Sequence, residues 1–463
     1  MLNDDIDTIS AIATAPGEGS IGIVRLSGNK AIDIGDNLFR GINGGRINAV
    51  CSHQAVYGHI IEPNSAKIVD EVLVLVMRAP RSYTKEDVVE IHCHGGQASI
   101  KKVLDLTLQS GARLADPGEF TKRAFLNGRL DLAQAEAVID IIRAKTDASL
   151  RMAVGHLTGS LSGKIRGLRQ EILRMIAQLE AAIDFPEEDI EELAAQEVAL
   201  ALGDTLKQVE LLLATAKAGR ILRDGLETVI IGKPNVGKSS LLNALVGEKR
   251  AIVTDIPGTT RDIIEEYVNI RGIPLKIVDT AGIRDTDDVV EKIGVERARE
   301  IMVNADLILL LLDSSQPLSD EDREILDMLA GKQAVVLVNK SDLPARLELA
   351  EVMSRVREKK LLKISVVEGT GLTELEQIIV DMVYSGQVSQ AEGAFVNNVR
   401  HANSLHQVKI HLQDVLVTIN KGMPSDCIVV DLRAAWEKLG EITGDTVGED
   451  IVDQIFSQFC IGK

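Results

Sequence analysis

Gly232-Lys233-Pro234-Asn235-Val236-Gly237-Lys238-Ser239 has the residue types and spacing of a loop that wraps phosphate. The glycines let the chain turn tightly, so the backbone N–H groups of Asn235, Val236, Gly237, Lys238, Ser239 and Ser240 can converge on one anion at a helix N-terminus. Lys238 would reach the β- and γ-phosphates, and the Ser239 hydroxyl would hold Mg²⁺. The context agrees with the pattern. The apolar run Thr228 to Ile231 precedes the loop as a buried strand, and Ser240-Leu241-Leu242-Asn243-Ala244-Leu245 follows it as a helix.

Two further elements follow at the spacing such a nucleotide site needs. Leu275-Lys276-Ile277-Val278 reads as a strand ending in Asp279-Thr280-Ala281-Gly282, where an Asp can hold Mg²⁺ through water and a glycine N–H can meet a γ-phosphate. Gln333 to Val338 reads as a buried strand ending in Asn339-Lys340-Ser341-Asp342. Here a carboxylate at Asp342 would pair with the N1–H and exocyclic amine of guanine, two donors that adenine lacks, so GTP is expected over ATP. Between them runs Thr254-Asp255-Ile256-Pro257-Gly258-Thr259-Thr260, with Thr260 as the switch threonine for Mg²⁺. Ser365-Val366-Val367 is the fifth element, without the Ala-Lys pair many GTPases carry there. Ile283, directly after the Asp279–Gly282 motif, cannot orient water, so the catalytic group must come from elsewhere or hydrolysis is slow.

These motifs need elements to hold them. With 463 residues the chain exceeds a single core, and about two to four domains are expected. Apolar residues make up 45% and charged residues 26%, a soluble globular balance. The four cysteines Cys51, Cys93, Cys427 and Cys460 are scattered, which fits a reducing compartment. The acidic start, Met1 to Asp5, is unlike a secretory leader, and the longest apolar run, Leu307 to Leu312, is about a third of a membrane span. A cytoplasmic protein without a membrane segment is expected. A net charge of −18 opposes diffuse nucleic-acid binding, so an RNA partner must meet a local basic patch or a second protein.

Residues 1–118 read as an α/β domain, with strands at Ile21–Leu26 and Glu71–Val76 and a helix over Ile100–Leu108. In Val88 to His94, period two puts Glu90, His92 and His94 on one face. Two histidines at this spacing are either metal ligands lacking a third partner or hydrogen-bonded residues of a sheet. From 119 the period turns helical, with Leu130, Ala133, Ala137 and Ile141 on one face and Ile172, Ile176, Leu179 and Ile183 on another. The acidic run Glu187 to Glu192 reads as a solvated helix start, and a helix over Val209–Lys217 is expected to end near Gly219. Helical spacing resumes after 385, at Ile410–Ile419 and Leu432–Leu439. The economical division is a helical domain of 119–219 and 385–463 interrupted by a nucleotide-binding domain at 220–384.

The loop G-K-P-N-V-G-K-S-S-L-L-N, the stretch D-I-P-G-T-T-R-D, the run Phe125 to Glu136 (F-L-N-G-R-L-D-L-A-Q-A-E) and the terminal Phe459-Cys460-Ile461-Gly462-Lys463 resemble the MnmE (TrmE) family of tRNA-modification GTPases over the whole chain. The resemblance implies a multidomain fold: an N-terminal folate-binding-type α/β domain that dimerises, a discontinuous helical domain, and an inserted Ras-like P-loop GTPase domain. It implies a homodimer that works with the partner MnmG on the wobble uridine of tRNA, using GTP, Mg²⁺, K⁺ and 5-formyltetrahydrofolate or methylenetetrahydrofolate. Residue by residue it carries K⁺ contacts to Asn235, Thr254, Ile256 and Thr259, and the water-orienting carboxylate to Glu291. Folate contacts fall on Arg25, Glu90, Arg129 and Lys463, with arginine at 129 where the family pattern has lysine. Cys460 is a candidate redox or nucleophilic thiol. The GTPase motifs alone would equally suit a ribosome-assembly or translational GTPase, but such a protein needs an RNA-facing basic domain and none is visible. A folate-dependent one-carbon transferase with a regulatory GTPase is the other alternative.

Overall fold

A computed structural model describes residues 7–184, 190–252, 266–278, 302–356, 359–384 and 395–463. The fold is mixed α/β with a large helical share, in two compact units: Met1–Ile139, Leu157–Arg169 and Glu437–Lys463 form one, Asp140–His156 and Gln170–Trp436 the other.

The first unit is built on a seven-stranded sheet of β1 (Ile9–Ile12), β2 (Ile21–Ser27), β3 (Phe39–Gly41), β4 (Gln54–Ile61), β5 (Ile68–Met77), β6 (Val88–His94) and β7 (Arg113–Leu114), in the order β3-β4-β5-β6-β2-β1-β7. Every pairing is antiparallel except β1 with β7. Alternation sorts the side chains as the sequence pattern demands. Val24, Leu26, Val72, Val74, Val76, Val89, Ile91 and Cys93 enter a core with residues of helices Ala31–Leu38 and Gln97–Gln109. Burial pushes the Cys93 thiol up to about 11, so it packs as an inert apolar group. The opposite face keeps Arg25, Glu90 and His92 largely buried and leaves Tyr57 and its register partner Leu73 in solvent. The C-terminal helix Glu449–Phe456 joins this unit through Phe456 and Phe459, which pack with Leu132, Ala135 and Ile139.

The second unit carries β8 (Leu226–Ile231), β9 (Ala251–Ile252), β10 (Glu266–Ile270), β11 (Ile273–Ile277), β12 (Leu307–Asp313), β13 (Ala334–Asn339) and β14 (Lys360–Lys363), in the order β14-β13-β12-β8-β11-β10-β9. β11, β8, β12, β13 and β14 run parallel, and β10 and β9 are antiparallel additions at one edge. The apolar run at Leu307–Leu312 is therefore a central strand buried on both faces, which is why it carries no polar residue until Asp313. Helix Ile190–Ala214, which precedes the sheet in sequence, packs against helix Val399–Asn420, which follows it. Among the described residues no helix is long and apolar enough to cross a membrane.

One expectation fails. Gly219 does not end a helix: the chain breaks at Thr215, and a second helix, Ala216–Asp224, runs straight through Gly219. The glycine is there for space, because a Cβ at this position would overlap the Val396 carbonyl and crowd Asn397. Gly219→Ala should cost about 1–3 kcal/mol of stability despite alanine's better helix propensity, because a backbone carbonyl cannot rotate aside. Denaturant unfolding of the two proteins measures it, and an unchanged or raised midpoint would refute the packing argument.

Candidate functional site

The phosphate loop leaves β8, the strand flanked by β11 and β12, and ends at helix Lys238–Arg250. Asn235 takes the left-handed conformation at φ 62°, and Gly237 sits at φ 104°. A Cβ at Gly237 would overlap the side-chain amide of Asn339, so only glycine fits between loop and amide. Lys233 is tied down: its ammonium lies 2.7 Å from Asp322 and 2.9 Å from Ser319, the capping box of helix Asp320–Met328.

Lys238 folds over its own loop, donating to the carbonyls of Gly232 at 2.7 Å and Lys233 at 2.8 Å. Among the described residues no carboxylate lies within salt-bridge reach of it. Burial holds the ammonium below its ordinary value, the mark of a cation poised for an anion that the described residues do not provide. Asn235 is exposed, and its amide has no hydrogen-bond partner among the described residues. Ser239 is the second residue of the helix, and Ser240 the third, on the exposed side.

Asn339 ends β13 and binds the site together. Its Nδ2 donates to the Val236 carbonyl at 2.8 Å, and its Oδ1 accepts the Val366 N–H at 3.2 Å. One buried amide thus joins the phosphate loop to the fifth element. Asp342 accepts the Ser365 hydroxyl at 2.6 Å, and the Ser341 N–H donates to Ile364. Lys340, at φ 61°, pairs with Asp313 at 2.7 Å. Burial works to raise the Asp313 carboxyl, but hydrogen bonds from Lys340 and Ser315 hold it below the usual range. Val367 points to solvent at 89% exposure. Thr254, Asp255, Ile256, Pro257, Gly258, Thr259 and Thr260, then Asp279, Thr280, Ala281, Gly282, Ile283 and Glu291, lie outside the described residues, as does the acidic segment 187–189.

A second cluster forms within the first unit. Register pairs Arg25 of β2 with Glu90 of β6, and Arg25 Nε donates to Glu90 Oε1 at 2.8 Å. The tail residue Gly462 brings its carbonyl to 3.3 Å from Arg25 Nη1, and Gly462 itself packs on the backbone of Ile12 and Ala13. That places Lys463 beside Arg25: burial first, then the Arg25 charge, hold its ammonium below the ordinary value. Arg129 stacks on the Tyr83 ring at 4.7 Å and donates to the Tyr83 carbonyl at 3.2 Å, while Arg25 lies 5.6 Å from the rings of Tyr83 and Phe120. Cys460 is exposed, and its carbonyl accepts the Gly118 N–H at 3.3 Å. Arg25, Glu90 and Lys463 thus meet in one place, with Arg129 joined through Tyr83. Tyr83 and Phe120 are the members sequence reasoning missed, since a lone aromatic carries no periodic signal. Of the paired histidines, His94 is a sheet residue with its Nδ1 2.6 Å from Asp70 Oδ1. The one His/Asp cluster of metal-ligand type among the described residues lies elsewhere, at His411, Asp414 and Asp431.

Comparison with known proteins places the chain among others. Residues 8–129 match the family model described as the GTP-binding protein TrmE N-terminus, and residues 132–460 match the MnmE helical domain. A tRNA modification GTPase MnmE of Geobacillus kaustophilus is 54% identical over 460 residues, covering 99% of this chain and 100% of its own. That of Alkaliphilus oremlandii is 52% identical over 457 residues, covering 99% of each. Among solved structures, the G domain of the T. maritima FeoB iron transporter is 26% identical over 34% of this chain and 97% of its own, with a TM-score of 0.25.

Proposed function

The chain belongs to the MnmE family of tRNA modification GTPases, and from that membership we propose a potassium-dependent GTPase that works with an MnmG-type partner on the wobble uridine of tRNA. Its coarse activity is hydrolysis of GTP to GDP and phosphate in tRNA modification. The finer reading adds a carboxymethylaminomethyl-type group at C5 of that uridine, position U34, with the cleavage of GTP coupled to movement and pairing of the GTPase domains.

The observation that carries the nucleotide part is the Asn339 amide, which holds the phosphate loop and the Asp342–Ser365 segment at a fixed separation. A nucleoside triphosphate would lie with phosphates under Lys238 and the loop N–H groups and its base against Asp342 and the segment Ser365-Val366-Val367, with Asn339, Lys340 and Ser341 shaping the pocket. The switch residues Thr254, Asp255, Ile256, Pro257, Gly258, Thr259 and Thr260, and the motif Asp279, Thr280, Ala281 and Gly282, complete this proposed site.

Ser239 and Thr260 offer the hard hydroxyl oxygens Mg²⁺ prefers. Asn235, with its amide unpartnered among the described residues, suits a monovalent cation together with Thr254, Ile256 and Thr259. When bound, these ions neutralise charge that spreads over the phosphates in the transition state. Glu291 would orient the attacking water. Glu291→Ala is expected to keep GTP affinity and lose about 10²-fold or more in turnover, and Na⁺ in place of K⁺ should slow the wild type. Near-normal turnover of Glu291→Ala would remove that residue from the mechanism, and equal rates in both salts would remove the cation.

Arg25, Glu90, Arg129 and Lys463 would hold 5-formyltetrahydrofolate or methylenetetrahydrofolate, which supplies a one-carbon unit when bound. Two neighbouring cations, one of them with its charge disfavoured by burial, suit the glutamate tail, and the Glu90 carboxylate suits pterin N–H donors. Cys460 is proposed as a reactive thiol at the same tail. The solvent-facing Tyr57–Leu73 pair supports a homodimer through the N-terminal domain. The domains proposed are 1–118, then 119–219 with 385–463, and 220–384. Nucleoside analysis of tRNA from a strain lacking the protein tests the whole reading. Wobble uridines should lose the C5 group and regain it on complementation; intact uridines beside a ribosome-maturation defect would move the protein to the ribosome-assembly class.

A further inference from the structure

β6 turns Glu90, His92 and His94 to one side of the sheet and Ile91 and Cys93 into the core. His94 is engaged twice by Asp70, through its ring at 2.6 Å and through its main-chain N–H at 2.9 Å. His92 is different. Its Nε2 is shut away from solvent and has no hydrogen-bond partner among the described residues. Glu90 Oε2 stands 3.5 Å away, outside hydrogen-bond geometry. That oxygen has no hydrogen-bond partner among the described residues but is open to solvent, while Arg25 Nε donates to Oε1. Sheet register flanks the imidazole with Leu73 on one side and Ile23 on the other, so its neighbours across the strands can supply no polar contact. A sealed imidazole nitrogen and a solvent-reachable carboxylate oxygen thus stand side by side on the face that also carries Arg25.

We propose that His92 is a further ligand-binding residue of the Arg25–Glu90–Lys463 site, hydrogen-bonding the polar edge of a reduced pterin whose N–H donors Glu90 receives. The inference rests on the folate reading of that site. The chemistry is complementary: a 2-amino-4-oxopyrimidine edge presents N–H donors next to ring acceptors. A carboxylate takes the donors, and an imidazole beside it meets the adjoining atom, since Nε2 can donate or accept as the tautomer requires. The His92 ring is partly exposed and must turn to present Nε2 to such a ligand, and the contact would then give the sealed nitrogen the partner it lacks, which a purely apolar guest cannot do.

Calorimetric titration of the full-length protein with 5-formyltetrahydrofolate tests it in wild type, His92→Leu, His92→Gln and Glu90→Gln. His92→Leu should weaken binding about ten- to a hundredfold with an unaltered melting profile, while His92→Gln, which keeps a polar atom at the end of the side chain, recovers most of the affinity. Wild-type affinity in His92→Leu beside a loss in Glu90→Gln would overturn the role of His92 and leave the site standing. An equal loss in His92→Leu and His92→Gln with a lowered melting point would mean a packing role and overturn it too. Failure of the wild type to bind would overturn the folate reading and this inference with it.

Discussion

Lys238→Ala should abolish GTP hydrolysis at physiological nucleotide concentrations, with kcat/KM falling by about 10²–10³-fold or more. The ammonium has no carboxylate partner among the described residues and is buried against the carbonyls of Gly232 and Lys233. An anion at the loop would offset its desolvation. The same reasoning gives an opposite sign for the empty protein. A lysine whose folded pKa lies below its unfolded value carries a penalty wherever it is charged in the folded state. That penalty covers neutral pH and fades only as pH rises through the folded value. Removing the charge should therefore leave the nucleotide-free protein as stable as wild type or more so. GTP-binding titrations, turnover assays and thermal melts without nucleotide check both halves. Retained turnover in Lys238→Ala would end the phosphate-loop account, and a large drop in the nucleotide-free melting point would show that Lys238 is structural.

Asp342→Asn should reverse base preference. A carboxylate accepts both the N1–H and the exocyclic amine of guanine, whereas an amide offers one acceptor and one donor. The amide donor faces the guanine amine and repels it, but it matches the 2-oxo group of xanthine. GTP affinity is expected to fall by about 10²–10⁴-fold, with XTP becoming the better ligand. The fold should survive, because Asp342 uses one oxygen to accept the Ser365 hydroxyl at 2.6 Å and asparagine retains an oxygen for that bond. Competition binding with GTP, ATP and XTP decides it. Undiminished GTP affinity in the variant would take guanine recognition away from Asp342.

Much of the nucleotide site was legible because its chemistry is local. A loop that must turn with glycines, follow a buried strand and open a helix writes its needs into contiguous residues, so 232–239 could be read without any fold. Asp342 could be read the same way, because it closes the run Asn339-Lys340-Ser341-Asp342 directly after a continuously buried apolar strand. Alternation in Val88–His94 separated Glu90 and His92 from Ile91 and Cys93 for the same reason. Gly219 misled because a glycine in a helical stretch has two causes, conformation and clearance. Only clearance was at work, against a carbonyl some 177 positions away, 396 minus 219, which no local pattern encodes.

What the sequence by itself determined is the set of groups on offer for binding, since donors, acceptors and backbone freedom belong to residue types at fixed short spacings. What only tertiary structure decided is which of those groups meet. The Asn339 amide reaches Val236 and Val366, Lys233 anchors to the Asp322 cap, and Lys463 arrives beside Arg25 from the opposite end of the chain. Each of these contacts joins segments whose separation is set by strand order and by the docking of a tail. The free energy that holds them there comes from burying side chains all over the unit, and such a sum has no signature in any one stretch of residues.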